Sequence, residues 1–296
     1  FGVQQRLALA GKAQHGVDVL GMTATPIPRT LTLTAYGDMD TSFIREKPPG
    51  RQPVDTRVVS LDRLADMAQG IARAVSGGAR VYWVCPLVEE SELLDLAAAE
   101  DRYKSLKGLF GDKIGLVHGK MKGVEKDAVM GQFQRGDISV LVSTTVIEVG
   151  VDVPEATIMV IEHAERFGLS QLHQLRGRVG RGAAKSSCML LRAVDIGAIA
   201  RDRLKIMRET EDGFVIAEED LRLRGGGEIL GTKQSGLPDL KMVDYNEHAD
   251  LIELARDDAR LIINKDPSLE SARGKALRHL LYLFKRDEGV RLMQSG

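Results

Sequence analysis

At 296 residues with 43% hydrophobic content, the chain is long enough for about two domains with ordinary buried cores. Its formal net charge of -1 excludes indiscriminate, whole-surface binding of nucleic acid, and aromatics at 4%, not interleaved with the basic residues, exclude a base-stacking platform. No apolar run approaches the roughly 20 residues that cross a bilayer, and no secretory leader opens the chain, so a cytoplasmic protein without membrane contact is expected.

The chain opens on a helix-like segment and reaches a short apolar run at 17–22 that predicts a buried strand. Thr23, Ala24 and Thr25 follow, and Pro26 and Pro28 stop the strand and set a turn. Residues 31–40 read as a helix and a turn. Pro48, Pro49, Gly50 and Arg51 cannot continue either regular structure and mark a domain boundary. Beyond it, 57–60 predicts a strand, and Ser60 caps a helix with Leu61, Leu64, Ala68, Ile71 and Val75 on one face, closed by Gly77 and Gly78. Residues 79–86 are nearly all apolar, the pattern of a strand covered on both sides.

A helix over 87–103 is entered through an acidic turn whose carboxylates, taken alone, read as solvated. Residues 114–117 predict a strand ending at His118 and Gly119, and 125–133 a helix ending at a Gly136-Asp137 turn. From Val140 a β-branched run leads to Ser143, Thr144 and Thr145, then crosses by Gly150, Asp152 and Pro154 to a strand at 157–161. With a further strand near 187, strands alternating with helices at this spacing predict an α/β lobe built on a parallel sheet. Cys85 and Cys188 lie in or beside strand candidates and read as buried thiols. With the six histidines scattered, no metal site is expected.

After Ser170, a candidate N-cap, come Gln174, Arg178 and Arg181, spaced four and then three apart. If that segment is helical to its end, the three share one face. Two planar guanidinium forks converging on a γ-phosphate would offset the charge that builds up in phosphoryl transfer. A solvated, Arg-rich surface is the ordinary alternative. Two basic runs, 176–185 and the set Arg201, Arg203, Lys205 and Arg208, are candidate DNA patches; acids interspersed in the second make a solvated helix face the better reading there. Residues 198–210 and 214–223 predict two helices in a hairpin, followed by Arg224 and a flexible loop at Gly225, Gly226 and Gly227. The remainder is helical, with Leu251, Leu254, Ala255, Leu261 and Ile262 on one face and a second helix over 269–284.

The run from Val140 to Gly182 resembles motifs V and VI of superfamily 2 helicases and translocases, and specifically those of the RecG family. The Thr23-Ala24-Thr25 turn resembles motif III, residues 31–40 and 86–92 resemble further RecG wording, and residues 213–236 resemble the translocation motif that RecG shares with the transcription-repair coupling translocase. The resemblance covers essentially the whole chain. It implies a RecA-like second helicase lobe over 48–197, preceded by the tail of the first lobe over 1–47 and followed by a helical translocation hairpin and helical cap over 198–296. It further implies that Arg178 and Arg181 reach the γ-phosphate of ATP with Gln174 positioning them, and that Gly150 and Asp152 line the ribose side. Thr23, Ala24, Thr25, His118, Gly119 and Thr144 would face DNA, while Arg224 and Gln234 couple motif VI to movement on duplex DNA. At Gly226 the family more usually has proline.

A complete motor needs a phosphate-cradling glycine loop with its lysine and an acidic pair for Mg²⁺. Residues 115–120 lack the spacing of the first, and Asp287 and Glu288 lack the strand context of the second. The resemblance places both upstream of this stretch, so ATP and Mg²⁺ are expected only in the complete enzyme and this portion alone is expected to be inactive. Implied partners are branched double-stranded DNA, including replication forks and Holliday junctions, and single-strand DNA-binding protein, with the protein a monomer. The rival readings are the transcription-repair coupling motor and a non-catalytic fragment that binds DNA or a partner.

Overall fold

The computed structural model describes residues 20, 22–23, 42–48, 50–86, 92–144, 153–182, 184–231 and 248–283. Six strands form one sheet: β1 (Val54–Ser60), β2 (Arg80–Val84), β3 (Ile114–Val117), β4 (Val140–Ser143), β5 (Ala156–Ile161) and β6 (Ser186–Arg192). They run in the order β1-β6-β5-β2-β4-β3, every pairing parallel. Each predicted strand of the lobe is present. The crossovers needed by parallel neighbours are supplied by α1 (Leu64–Ser76), α2 (Glu92–Phe110), α3 (Gly123–Arg135) and α4 (Leu169–Arg176).

Strand alternation sorts the core into two layers. Val81, Trp83, Val140, Val142 and Val160 point to one face, where they pack with Ala68 and Ile71 of α1 and Ala99, Leu106 and Phe110 of α2. Tyr82, Val84, Leu141, Met159 and Ile161 point to the other, against Phe133 of α3 and Leu169, Leu172 and Leu175 of α4. This two-sided burial explains why β2 and β4 read as continuous apolar runs rather than alternating ones. Cys85 and Cys188 are buried thiols, and burial holds both well above the usual thiol range, Cys188 at about 12.

Local punctuation follows the sequence in most places. Gly136 ends α3 with φ 84°, and a turn from Pro48 to Arg51 closes with the Arg51 N–H on the Pro48 carbonyl at 3.4 Å. Ser60 departs from its expected role: the residues after it form a 3-10 turn (Leu61–Arg63), and its hydroxyl donates to Asp62 rather than capping the helix.

Two more helices follow β6: α5 (Ala198–Glu209) and α6 (Gly213–Gly231). They are joined at 210–212, where the Asp212 side chain accepts the Phe214 N–H at 2.8 Å and caps α6. Leu204, Met207 and Ile216 are buried in the layer that holds α4, so α5 and the first half of α6 complete that side of the lobe. The compact unit containing the sheet accordingly includes 43–223, and residues 224–296 fall in a separate unit. The expected loop at Gly225, Gly226 and Gly227 is instead part of α6. Glycine costs about 1 kcal/mol against alanine inside a helix, but it keeps the backbone N–H that proline would remove, so α6 continues where a proline at 226 would break it.

In the second unit, α7 (Ala249–Lys265) and α8 (Ala272–Leu283) realise the two C-terminal helices, with Leu251, Leu254 and Leu261 half or more exposed. The expected strand at 17–22 and helix at 31–40 lie largely or wholly outside the described residues.

Phe133 is fully buried with its ring 5.0 Å from that of Tyr82. Phe133→Ala is expected to lower stability by about 3–5 kcal/mol, read as a fall in the urea midpoint at unchanged slope.

Candidate functional site

Helix α4 begins at Gly168, whose N–H is accepted by the Gln171 side chain at 3.2 Å. Ser170, the expected cap, sits inside the first turn and donates to Asp220 at 3.3 Å. Leu169, Leu172, Leu175 and Arg176 form the buried stripe, and Gln174 is exposed. The helix then stops. The Gly177 N–H returns to the His173 carbonyl at 2.9 Å, and Arg178 and Val179 make turn bonds to Leu175 and Arg176 at 3.0 and 3.2 Å.

The unbroken helix that would align Gln174, Arg178 and Arg181 is therefore not formed. Gln174 stands on the helix, half-buried Arg178 on the turn, and exposed Arg181 beyond a reversal. Val179, fully buried, pins the turn to the core between the two arginines. Gly180 makes the reversal with φ 73°, and a side chain there would put its Cβ 2.7 Å from Val54 Cγ2, so only glycine allows so close an approach to β1. Arg181 folds back to donate from Nε to the Gly177 carbonyl at 3.1 Å. Glycines thus replace the helical register with a compact arginine turn. Gly182 extends it: a Cβ there would lie 3.2 Å from the Pro154 carbonyl, which sets the end of the motif V stretch against the end of motif VI.

His118 and Thr144 follow Val117 and Ser143, which are register partners, so they emerge side by side at the carboxyl ends of β3 and β4. Thr144 is buried, Gly119 is exposed and accepts the Lys126 ammonium at 2.9 Å, and His118 Nδ1 and Ser143 Oγ are buried polar atoms without a hydrogen-bond partner. The arginine turn lies at the opposite, amino-terminal edge, beside the starts of β1 and β6. At ~3.3 Å per residue, a four-residue strand separates the two edges by roughly 13 Å. Thr23 is exposed. Ala24, Thr25, Gly150, Asp152 and Gln234 lie outside the described residues, and Arg224 is described only as a backbone position within α6.

Three residues emerge that the motif reading did not single out. Arg176 is 3% exposed and donates from Nη1 to the carbonyls of Met207 at 2.6 Å and Thr210 at 2.9 Å. Its position in the Leu169, Leu172, Leu175 stripe was the available signal. Arg203, one of the residues in the second basic run, donates to the Phe167 carbonyl at 2.7 Å, whereas Arg201, Lys205 and Arg208 are exposed as expected of a solvated face. Glu211 takes Lys47 at 2.5 Å and the Val54 N–H. Burial works against its charge, but the hydrogen bonds from Lys47 and Val54 and the nearby Lys47 and Arg176 charges hold its carboxyl below the usual range. Among the described residues no group of three or more His, Cys, Asp or Glu is placed to hold a metal, and no helix is long and apolar enough to cross a membrane.

Two family profiles match this architecture: "Helicase conserved C-terminal domain" over residues 62–183 and "ATP-dependent DNA helicase RecG, domain 3, C-terminal" over residues 210–288. The ATP-dependent DNA helicase RecG of Synechocystis sp. is 52% identical over 273 residues, which are 92% of this chain and 33% of the relative. Its counterpart from Escherichia coli (strain K12) is 50% identical over 278 residues, 92% of this chain and 40% of the relative. A solved structure of RecG bound to a three-way DNA junction is similar with a TM-score of 0.64 at 45% identity, covering 80% of this chain and 31% of that one. The chain therefore spans between a third and two fifths of the length of these curated relatives. Its parallel sheet, with both faces covered, is the RecA-like C-terminal lobe of a helicase. More narrowly, the chain belongs to the RecG family, of which it carries the C-terminal motor portion.

His173 Nδ1 lies 3.3 Å from Arg176 Nη2, and burial, then the charges of Arg176, Arg51 and Lys47, push its pKa down to about 4. Between that value and the ordinary 6.5 the unfolded chain binds a proton that the fold does not, so stability is complete above pH 6.5 and falls as pH drops toward 4. His173→Gln is expected to flatten the dependence of the melting temperature on pH across that interval.

Proposed function

We propose that this chain is the second motor lobe and translocation segment of an ATP-dependent helicase acting on branched double-stranded DNA, including stalled forks and Holliday junctions. The observation that carries the reading is the arginine turn: two guanidinium groups flanking the buried Val179, on a glycine-shaped reversal, in a chain of the RecG family. Two permanent cations on a fixed turn suit the anionic oxygens of a triphosphate, which supplies the phosphoanhydride whose cleavage drives the cycle.

In this reading Arg178 and Arg181 stabilise charge on the γ-phosphate across an interlobe cleft, and Gln174 positions them from the last turn of α4. Gly150 and Asp152 line the ribose side. The upstream lobe, of which residues 1–47 are the tail, supplies the phosphate loop and the acids that hold Mg²⁺. His118, Gly119 and Thr144 meet the DNA backbone from the carboxyl edge, with Thr23, Ala24 and Thr25 on the first-lobe side. The covalent run from Thr144 through Asp152 to Pro154 links the DNA edge to the nucleotide edge. Arg224 and Gln234 pass cleft closure to the duplex, and contacts made to phosphates make binding salt-dependent and sequence-independent. The junction in the RecG structure supports branched DNA as the substrate class. Single-strand DNA-binding protein is the proposed partner, with the enzyme a cytoplasmic monomer.

The test is ATP turnover with and without a three-way junction. The 296-residue chain alone should not hydrolyse ATP, and robust turnover by it would refute the division of labour. In the full-length protein, Arg178→Ala and Arg181→Ala should each lower junction-stimulated kcat by roughly 10³-fold. An unchanged kcat would remove the arginines from the site.

A further inference from the structure

The segment that enters the lobe is fastened to the corner between α5 and α6 at four points. The Phe43 ring meets Phe214 edge-on, with centroids 5.6 Å apart and planes at 75°. The Arg45 guanidinium lies 5.1 Å from the centre of the same ring. Lys47 pairs with one oxygen of Glu211 and the Val54 N–H donates to the other. Lys47 precedes the turn at Pro48–Arg51 and Val54 follows it as the first residue of β1, so one carboxylate staples both flanks of the turn.

The corner is held from beneath as well. Arg176, two residues before Arg178, donates to the Met207 and Thr210 carbonyls, and Thr210 directly precedes Glu211. The path from the arginine turn to the entering strap is thus one buried guanidinium, one peptide unit and one carboxylate. A charged hydrogen bond shared between a backbone N–H and an ammonium resists displacement more than an exposed ion pair does.

We infer that Glu211 and Phe214 are positioning residues that clamp the interlobe strap 43–54 onto the α5–α6 corner, so that strap and arginine turn move together during the motor cycle. The clamp stands on the geometry of this chain; its role in the cycle rests on the function proposed above.

Two measurements separate these parts. In the 296-residue chain, Glu211→Ala should raise amide hydrogen exchange at Val54 by roughly tenfold or more while the β2 amides stay protected. A Val54 amide equally protected in the variant would overturn the clamp, whatever the protein does with ATP. In the full-length protein, Glu211→Ala and Phe214→Ala should keep DNA-independent ATP turnover within about twofold yet lose roughly tenfold in base pairs unwound per ATP, with Lys47→Arg close to wild type. Turnover and unwinding that fall in proportion would reduce Glu211 to a stability residue and overturn the coupling. A wild-type protein without junction-stimulated turnover would instead refute the motor reading and the coupling with it, leaving the exchange result to decide the clamp.

Discussion

The arrangement of this lobe depends on how one buried charge is satisfied. A guanidinium at 3% exposure is tolerable only if its donors are met, because an unpaired buried charge costs several kcal/mol. Arg176 meets Met207 and Thr210, carbonyls from the last turn and C-cap of α5, where helical geometry leaves oxygens without intrahelical partners and where the helix dipole is negative. Each side needs the other: α4 could not bury its last residue without α5, and the end of α5 would lack its donors without α4. His173 stays neutral beside this charge, and its ring nitrogen lies near an Nη donor rather than adding a second cation.

From that joint the rest of the site follows in sequence order. The residue after Arg176 is glycine, the helix ends, and Val179 is the next anchor into the core. Between a fixed helix end and a fixed valine the Arg178 backbone has little freedom, and Gly180 can approach β1 only because it lacks a Cβ. The turn is therefore pre-shaped by packing, which is what the proposed role toward a γ-phosphate held by another lobe would require.

The architecture was legible because its signals were local and repeated. Residues 81–84 and 140–142 are apolar throughout since both faces are covered, and helices such as α1 announce themselves by apolar spacing and a glycine stop. The site was legible in its residue types but not in its geometry. Spacing of four and three suggested a helical face for Gln174, Arg178 and Arg181, but spacing cannot show that the chain leaves the helix at Gly177 and then reverses at Gly180 against Val54, over a hundred residues away. Arg203 was hidden for a related reason, since within a basic run it looks like surface charge; the leucine stripe marks Arg176 as inward-facing, but only tertiary neighbours show that backbone carbonyls occupy both. The triple glycine misled in the opposite sense, since permissive residues allow a loop without requiring one.

The separation of the two candidate groups has a physical consequence. His118 and Thr144 leave the sheet at its carboxyl edge, the arginine turn closes at its amino edge, and β2 and β5 lie between them as hydrogen-bonded rods. Close-packed parallel strands deform little, so a shift at one edge reaches the other mainly as motion of the whole lobe rather than as strain along a strand. In the proposed cycle, a lobe that moves as a body needs its entering segment attached firmly at the edge that meets the nucleotide. The strap is attached there: Val54, which heads β1, contacts the arginine turn through Gly180 and the α5–α6 corner through Glu211.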